Sequence, residues 1–304
     1  MLIRLQGGSI GPISRRDASK LLIAGSAGLL AVSRKGWTAE HINSVIRGVQ
    51  IGAQSYSFRD RDLDACIEAF KTVGLGECEL SDSHVAPNLK GEELRKWWLS
   101  TPLSHFQEVR AKFDNAGVKL YAFTFAFRKG IMDQEIERAF QVSQAMGVKY
   151  MTSSSNVSVA PRVDKYAQKF KIMVGFHGHD NTFNPDEFST PETFARAMKG
   201  ASEYIGVNLD IGHFIAAGGD PVAYIREHHQ KIVTLHIKDR KKNHGANLPF
   251  GQGDTPIVEV LRLLRDNKWK IPANIEYEYG EDKNLDTIAE VKKCYAYCRE
   301  ALES

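Results

Sequence analysis

The sequence predicts an α/β protein, a single-domain (β/α)8 barrel, and three observations carry that prediction. From Val49 onward, short apolar runs alternate with amphipathic stretches eight times in roughly 255 residues, the size of one such barrel. Four successive runs in the second half end in clusters of Asp, His, Lys and Glu, as buried parallel strands do when they deliver side chains at their C-terminal ends. No G-x-G-x-x-G follows the first run, so an open sheet built around a dinucleotide is unsupported.

In order, Val49 to Ser55 reads as strand one, and Leu63 to Val73 as a helix with Cys66, Ile67, Phe70 and Val73 on one face, stopped at Gly74. Glu77 to Leu80 is strand two, and one long helical region follows, ending at Asn115-Ala116-Gly117. Val118 to Phe125 is strand three, Asp133 to Met146 a helix, Val148 to Thr152 strand four, and Arg162 to Lys169 a shorter helix. Ile172 to Phe176 is strand five, and the Thr-Pro-Glu signal at 190 opens a helix reaching Tyr204. Val207 to Leu209 is strand six, with a helix from Asp220-Pro221. Ile232 to Ile237 is strand seven, with a helix from Thr255-Pro256 through Asp266. Ala273 to Tyr277 is strand eight, and Leu285 to Leu302 closes the chain as a helix.

Hydrophobic residues make up 42% of the 304 positions, enough for a substantial core, and a net charge of +3 gives no strong attraction to nucleic acid or a membrane surface. Cys66, Cys78, Cys294 and Cys298 show no C-x-x-C pattern and read as packing residues. Residues 1–40 differ from the rest. Ser14-Arg15-Arg16-Asp17-Ala18-Ser19-Lys20 precedes an uncharged apolar run, Leu21 to Val32, that is too short to span a bilayer and suits a signal-peptide core. The paired arginines resemble a twin-arginine export signal, with Ala18 and Ser19 where the usual form has a bulky apolar residue and Leu. This points to a periplasmic or exported protein whose barrel occupies residues 49–304; a basic N-terminal helix on a cytoplasmic protein is the alternative.

The chemistry sits at the ends of strands five to eight. Phe176-His-Gly-His179, Leu209-Asp-Ile-Gly-His213, Leu235-His-Ile-Lys238 and Asn274-Ile-Glu-Tyr-Glu278 bring His177 or His179, Asp210, His236 and Glu276 toward one point above the barrel mouth. Each has a bland reading alone: Asp210 as a helix cap, His236 as a satisfied core histidine, Lys238 as a surface lysine in a charged run. Alternation puts Glu276 and Glu278 on one side, and a carboxylate pair facing a barrel interior is costly without a cation or base.

The succession D-x-x-H, H-x-K-D, G-x-G-D (Gly251 to Asp254) and an I-E strand resembles the xylose-isomerase-like barrel superfamily of sugar isomerases and epimerases. That resemblance implies one divalent metal held by Glu, Asp, His and Glu from strands five to eight. Asp210, His236 and Glu276 match the last three, whereas His177 stands where relatives carry the first Glu, 33 residues before the Asp. A ligand set of two imidazoles and two carboxylates suits Mn, Co, Zn or Fe better than Mg. The implied activity is metal-assisted proton abstraction next to the carbonyl of a sugar or polyol, through an enediolate. Glu276, or His179 or Glu278 beside it, takes the proton, and Lys238 holds the developing oxyanion or a hydroxyl. His213 is expected to orient a ligand or touch substrate; Glu79, near the end of strand two, is a candidate for substrate binding that otherwise reads as a solvated rim residue; and Tyr56, Phe58, Phe123, Phe125 and Phe127 are candidate sugar-stacking rings that barrel packing also explains.

Because His177 removes one of two proton-trading carboxylates, elimination by an inosose-type dehydratase or keto-glycoside lyase is the runner-up. The related DNA-repair nucleases need a three-metal cluster with further histidines, and strand three, Tyr121 to Phe127, has none while His84 and His244 stand apart. A non-catalytic exported sugar-binding barrel is the other rival, against which stands the joint presence of Asp210, His236 and Glu276. No stable membrane span and no nucleic-acid partner are expected; the exact sugar, its phosphorylation and the oligomeric state are left open.

Overall fold

The computed structural model describes residues 40–280 and 285–304. Eight parallel strands close into a barrel: β1 (Val49–Gln54), β2 (Glu77–Ser81), β3 (Lys119–Thr124), β4 (Tyr150–Ser154), β5 (Met173–His177), β6 (Ile205–Asp210), β7 (Ile232–Ile237) and β8 (Ala273–Ile275). The closing pairs are β8 to β1, with Ala273 opposite Ile51, and β1 to β2, with Gln54 opposite Glu79. A short antiparallel strand, Val45–Ile46, folds onto β1 through Arg47 and Gly48, whose φ of 48° and 87° suit a primed hairpin turn. The twin-arginine-like segment lies in residues 1–39, outside the described residues. Among those described, no helix is long and apolar enough to cross a membrane.

The helices are α1 (Leu63–Val73), α2 (Gly91–Ser100), α3 (Leu103–Ala116), α4 (Asp133–Ala145), α5 (Ala160–Phe170), α6 (Pro191–Met198), α7 (Ile211–Ala216), α8 (Pro221–His228), α9 (Ile257–Asn267) and α10 (Thr287–Glu303). Three differ from the sequence expectation. The long region after β2 is two helices, because Thr101 is extended ahead of Pro102, whose ring disfavours helical backbone in the residue before it. α6 stops six residues short of Tyr204, where Lys199 turns extended and Gly200 takes φ +72°. α7 was not anticipated; it starts directly at the end of β6, where the Asp210 carboxylate caps it by accepting the His213 N–H.

Alternation along the strands splits the core into two layers. Ile51, Cys78, Phe123, Met151, Phe176, Leu209, Leu235 and Ile275 belong to the continuous apolar cluster under the helices. Their neighbours Glu79, Thr152, Asn208, Thr234, His236 and Asn274 are buried and hydrogen-bonded to one another inside the barrel, and buried Gln54 joins them through Thr124. Gly52 makes room for them, since a β-carbon there would meet Asn274 Oδ1 at 2.3 Å. All four cysteines are buried and free, and burial pushes the Cys66 and Cys294 thiols up to about 12.

Candidate metal centre

Each strand end supplies one side chain to the floor of the barrel mouth. His177 is the last residue of β5, Asp210 the last of β6, His236 the next-to-last of β7, and Glu276 follows β8 directly. All four are buried, and one ligand atom from each falls within 4.8 Å of the others, a group that could hold a metal ion. His177 Nε2 lies 3.5 Å from Asp210 Oδ2 and 3.9 Å from Glu276 Oε2, and His236 Nδ1 lies 3.1 Å from Glu276 Oε2. His179, the other β5 candidate, is half-buried beside the quartet rather than in it, with its ring 4.8 Å from that of His177.

The donors fit a divalent ion. His177 Nε2 is buried with no hydrogen-bond partner, a costly state for a polar atom unless something outside the chain satisfies it. His236 donates from its other nitrogen, Nε2, toward Glu79 Oε1 at 2.9 Å, which leaves Nδ1 aimed into the quartet. A carboxylate behind a ligating histidine is the usual way to fix its ring and tautomer. Glu79 therefore sits a layer below the cavity, not at the substrate as the sequence suggested and not on the solvated rim. Its carboxylate is wholly buried and also accepts from Thr152, Thr124, Asn208 and Asn274, so it supports His236 and does not face the cavity.

Lys238 is 2% exposed, so it is no surface lysine. Its Nζ lies 3.1 Å from Asp210, 2.8 Å from Glu276, 2.5 Å from Glu278 and 3.1 Å from His213 Nε2. Burial alone would push its ammonium down, but the three carboxylates outweigh that and hold it well above the ordinary lysine range. Burial likewise opposes ionisation of Asp210 and Glu276. Lys238 with nearby histidines holds Asp210 well below the usual carboxylate range, and His236 with Lys238 does the same to Glu276. His236 rises, because Glu276 and Glu79 outweigh its burial. His177 falls through burial, and His179 is pushed down to about 2 by burial and then by the neighbouring His177 and His213.

Sequence reasoning missed the outer wall. Asp180 pairs with Arg240 at 3.0 Å and lies 3.5 Å from His213 Nδ1 and 3.3 Å from His244, so His244 is not isolated. Arg240 in turn donates to His213 Nδ1 at 2.6 Å and to the Gly245 carbonyl. These contacts join loops 60 residues apart, and no local spacing announces them. Above the quartet opens a cavity of about 480 Å³ whose wall includes Tyr56, Asp82, His179, His213, Lys238 and Glu278. Of the candidate stacking rings, Phe58, Phe123 and Phe127 are buried in the core and only Tyr56 reaches this cavity. A hollow of about 590 Å³ between α9 and its surroundings carries no comparable cluster and lies away from the strand ends.

Comparison with known proteins bears on the fold. A stretch of 71 residues is 37% identical to rhizopine catabolism protein MocC of Rhizobium meliloti, covering 23% of this chain and 21% of that protein. A second curated relative, an uncharacterized protein of Methanocaldococcus jannaschii, is covered over 39% of its length at 26% identity, with 37% of this chain. Among solved structures, IOLI with a bound zinc atom superposes with a TM-score of 0.64 at 15% identity, covering 84% of this chain and 98% of that one. The probable 3-DHS dehydratase AsbF of Bacillus anthracis gives 0.62 at 14% identity over 80% and 98%. A sugar phosphate isomerase/epimerase of Parabacteroides distasonis gives 0.61 at 17% over 84% and 97%. At such identities the likeness establishes the fold alone. The profile described as "Xylose isomerase-like TIM barrel" matches residues 68–297, and the chain belongs to that family.

Proposed function

We propose that the barrel is a divalent-metal-dependent sugar isomerase or epimerase that abstracts a proton next to a carbonyl. The observation that carries this reading is the buried His177–Asp210–His236–Glu276 quartet at the floor of a cavity walled by Lys238 and Glu278. Two imidazoles and two carboxylates favour Mn, Co, Zn or Fe over Mg. When bound there, such an ion polarises the substrate carbonyl and stabilises the charge of an enediolate.

The remaining roles belong to the chain. Glu276, held strongly ionised by His236 and Lys238, is the poorer base and the better ligand. Glu278 lines the cavity outside the quartet and is partly open to it, so it is placed to take the C–H proton as the bond's electrons move to the carbonyl oxygen. Lys238, against Glu278, donates to that oxygen, and His179, kept neutral by its surroundings, hydrogen-bonds a hydroxyl. Glu278 then returns the proton to the former carbonyl carbon on the same face while the hydroxyl proton of the neighbouring carbon passes to the former carbonyl oxygen, so carbonyl and hydroxyl change places, which is isomerisation. Elimination is the second reading, favoured by the buried Lys238 ammonium, an acid in position to protonate a departing hydroxyl. Product composition separates them, because isomerisation conserves atoms and elimination releases water or an alcohol.

Metal analysis of purified protein beside Asp210→Ala tests the centre. A stoichiometric first-row metal in the parent that is lost in the variant supports it, and no metal in either ends the reading. Turnover in D2O is expected to place deuterium next to the carbonyl. Residues 14–35 add the proposal that the protein acts after export; a fusion of residues 1–40 to a folded reporter that stayed in the cytoplasm would refute it.

A further inference from the structure

His213 stands between two cations, and a count of protons decides which of its nitrogens faces the cavity as a donor. Arg240 Nη1 lies 2.6 Å from His213 Nδ1. A guanidinium only donates, so Nδ1 accepts and carries no proton of its own. The rival partner of Nδ1 is Asp180 Oδ1, farther off at 3.5 Å, and an Nδ1–H aimed at it would meet the arginine N–H donor to donor. The same contact excludes the doubly protonated ring. A neutral imidazole keeps one proton, and Nε2 is where it must sit.

Nothing on the other side of the ring contradicts this. Nε2 lies 3.1 Å from Lys238 Nζ, but that ammonium has three protons and three carboxylates to receive them, Glu278 at 2.5 Å, Glu276 at 2.8 Å and Asp210 at 3.1 Å. Asp210 Oδ2, at 3.8 Å from Nε2, is too distant to accept its proton. His213 lines the cavity, so the N–H is left for an oxygen that enters there.

Arg240 is itself fixed. It is 8% exposed and takes no part in the cavity wall. Nε and Nη2 clasp the Gly245 carbonyl at 3.1 and 2.7 Å, and the guanidinium meets both Asp180 oxygens, at 3.0 and 3.1 Å. The Gly245 carbonyl is brought there by Asn243 and His244, successive residues with left-handed backbone, φ 56° and 58°, a conformation that costs energy outside glycine. His244 is tied down by its N–H on the Ala216 carbonyl at 2.9 Å and by its ring beside Asp180. Strain of this kind persists only where the surroundings over-determine it, and what this turn places is the arginine behind His213.

We infer that Asp180 and Arg240 are positioning residues that hold His213 as its neutral Nε2–H tautomer, a fixed hydrogen-bond donor to a substrate oxygen. That the oxygen belongs to a carbonyl-bearing sugar rests on the reading above; the tautomer does not.

The test is 15N NMR of the histidine rings in the full chain, metal-free and with Zn2+ added, His213 being assigned by the signals lost in His213→Gln. A protonated Nε2 and a bare Nδ1 are expected in the parent under both conditions. Arg240→Met is expected to shift the proton to Nδ1, where Asp180 can accept it, and Arg240→Lys, which keeps a donor, to leave it on Nε2. A parent ring protonated at Nδ1 or at both nitrogens overturns the proposal. So does zinc taking the place of the Nε2 proton, or an Arg240→Met ring with the parent's tautomer. If Arg240→Met does not fold, the parent and Arg240→Lys spectra decide. The expected tautomer in a protein that holds no metal would keep the network and end the carbonyl reading; stoichiometric metal with the other tautomer would do the reverse.

Discussion

Lys238 and a divalent ion at the proposed centre would draw on the same two carboxylates, since its ammonium reaches both Asp210 and Glu276 within 3.1 Å. Two unit charges about 4 Å apart interact by about 4 kcal/mol even at an effective dielectric of 20, and a flexible lysine relaxes part of that. Lys238→Met is therefore expected to bind metal at least about tenfold more tightly while turnover falls by about a hundredfold or more, as loss of a positioned acid does; metal titration beside steady-state kinetics reads both. Glu79 acts in the other direction. Glu79→Gln leaves His236 Nε2 without its carboxylate, and metal affinity is expected to fall about 10–100-fold with the fold retained. Unchanged affinity would remove the supporting role. At this scale, sequence legibility followed the strand period. Asp210, His236 and Glu276 could be read because they end apolar runs with their side chains in register. Glu79 read as a substrate-binding or rim residue because nothing local shows that Thr152, Asn208 and Asn274 converge on it from three other strands.

The loop after β7 shows how one side chain sets an element. Asp239, buried next to Lys238, accepts the N–H groups of Gly251 at 2.8 Å, Gly253 at 2.9 Å and Thr255 at 3.2 Å. The G-x-G-D motif is thus a nest for the aspartate of H-x-K-D, and its glycines permit the close approach: a β-carbon on Gly253 would lie 1.9 Å from Asp239 Oδ1. Asp239→Ala strands three backbone donors, and with bonds to a charged acceptor worth roughly 1.5–3 kcal/mol each before water replaces some, a loss of about 2–4 kcal/mol is expected by urea denaturation. Gly253→Ala should destabilise as well, through the clash. A variant as stable as the parent would show that water takes over the loop. Element boundaries were legible where a Gly marks them, as at Gly74 of α1. They were not legible where the decision is tertiary. α7 exists because Asp210, held in place by the strand, has an oxygen free for the His213 N–H, and α6 ends where the chain must turn into β6.

Across the whole molecule, the two ends of the barrel carry different burdens. Eight repeats of one pattern made the architecture readable, but closure depends on register and small residues such as Gly52, which no periodicity displays. At the end opposite the quartet, Glu77 opens β2. It is fully buried, Oε1 has no partner, and Oε2 meets the half-exposed Lys119 at 3.0 Å. Burial raises its carboxyl from 4.5 to about 6, more than Lys119 lowers it. A raised folded value means the fold prefers the protonated form. Below about 4.5 Glu77 is protonated folded or unfolded and costs nothing; stability is lost as pH rises from there through about 6, and above 6 the loss is complete. Its size is about 2 kcal/mol. Glu77→Gln keeps the shape and removes the charge, so it should be more stable than the parent by up to that amount at about pH 7.5. The advantage should shrink through about pH 5 and vanish near about pH 4. Denaturant midpoints across that range check it, and a variant weaker at every pH would show that the Lys119 pair outweighs the cost of burying the carboxylate.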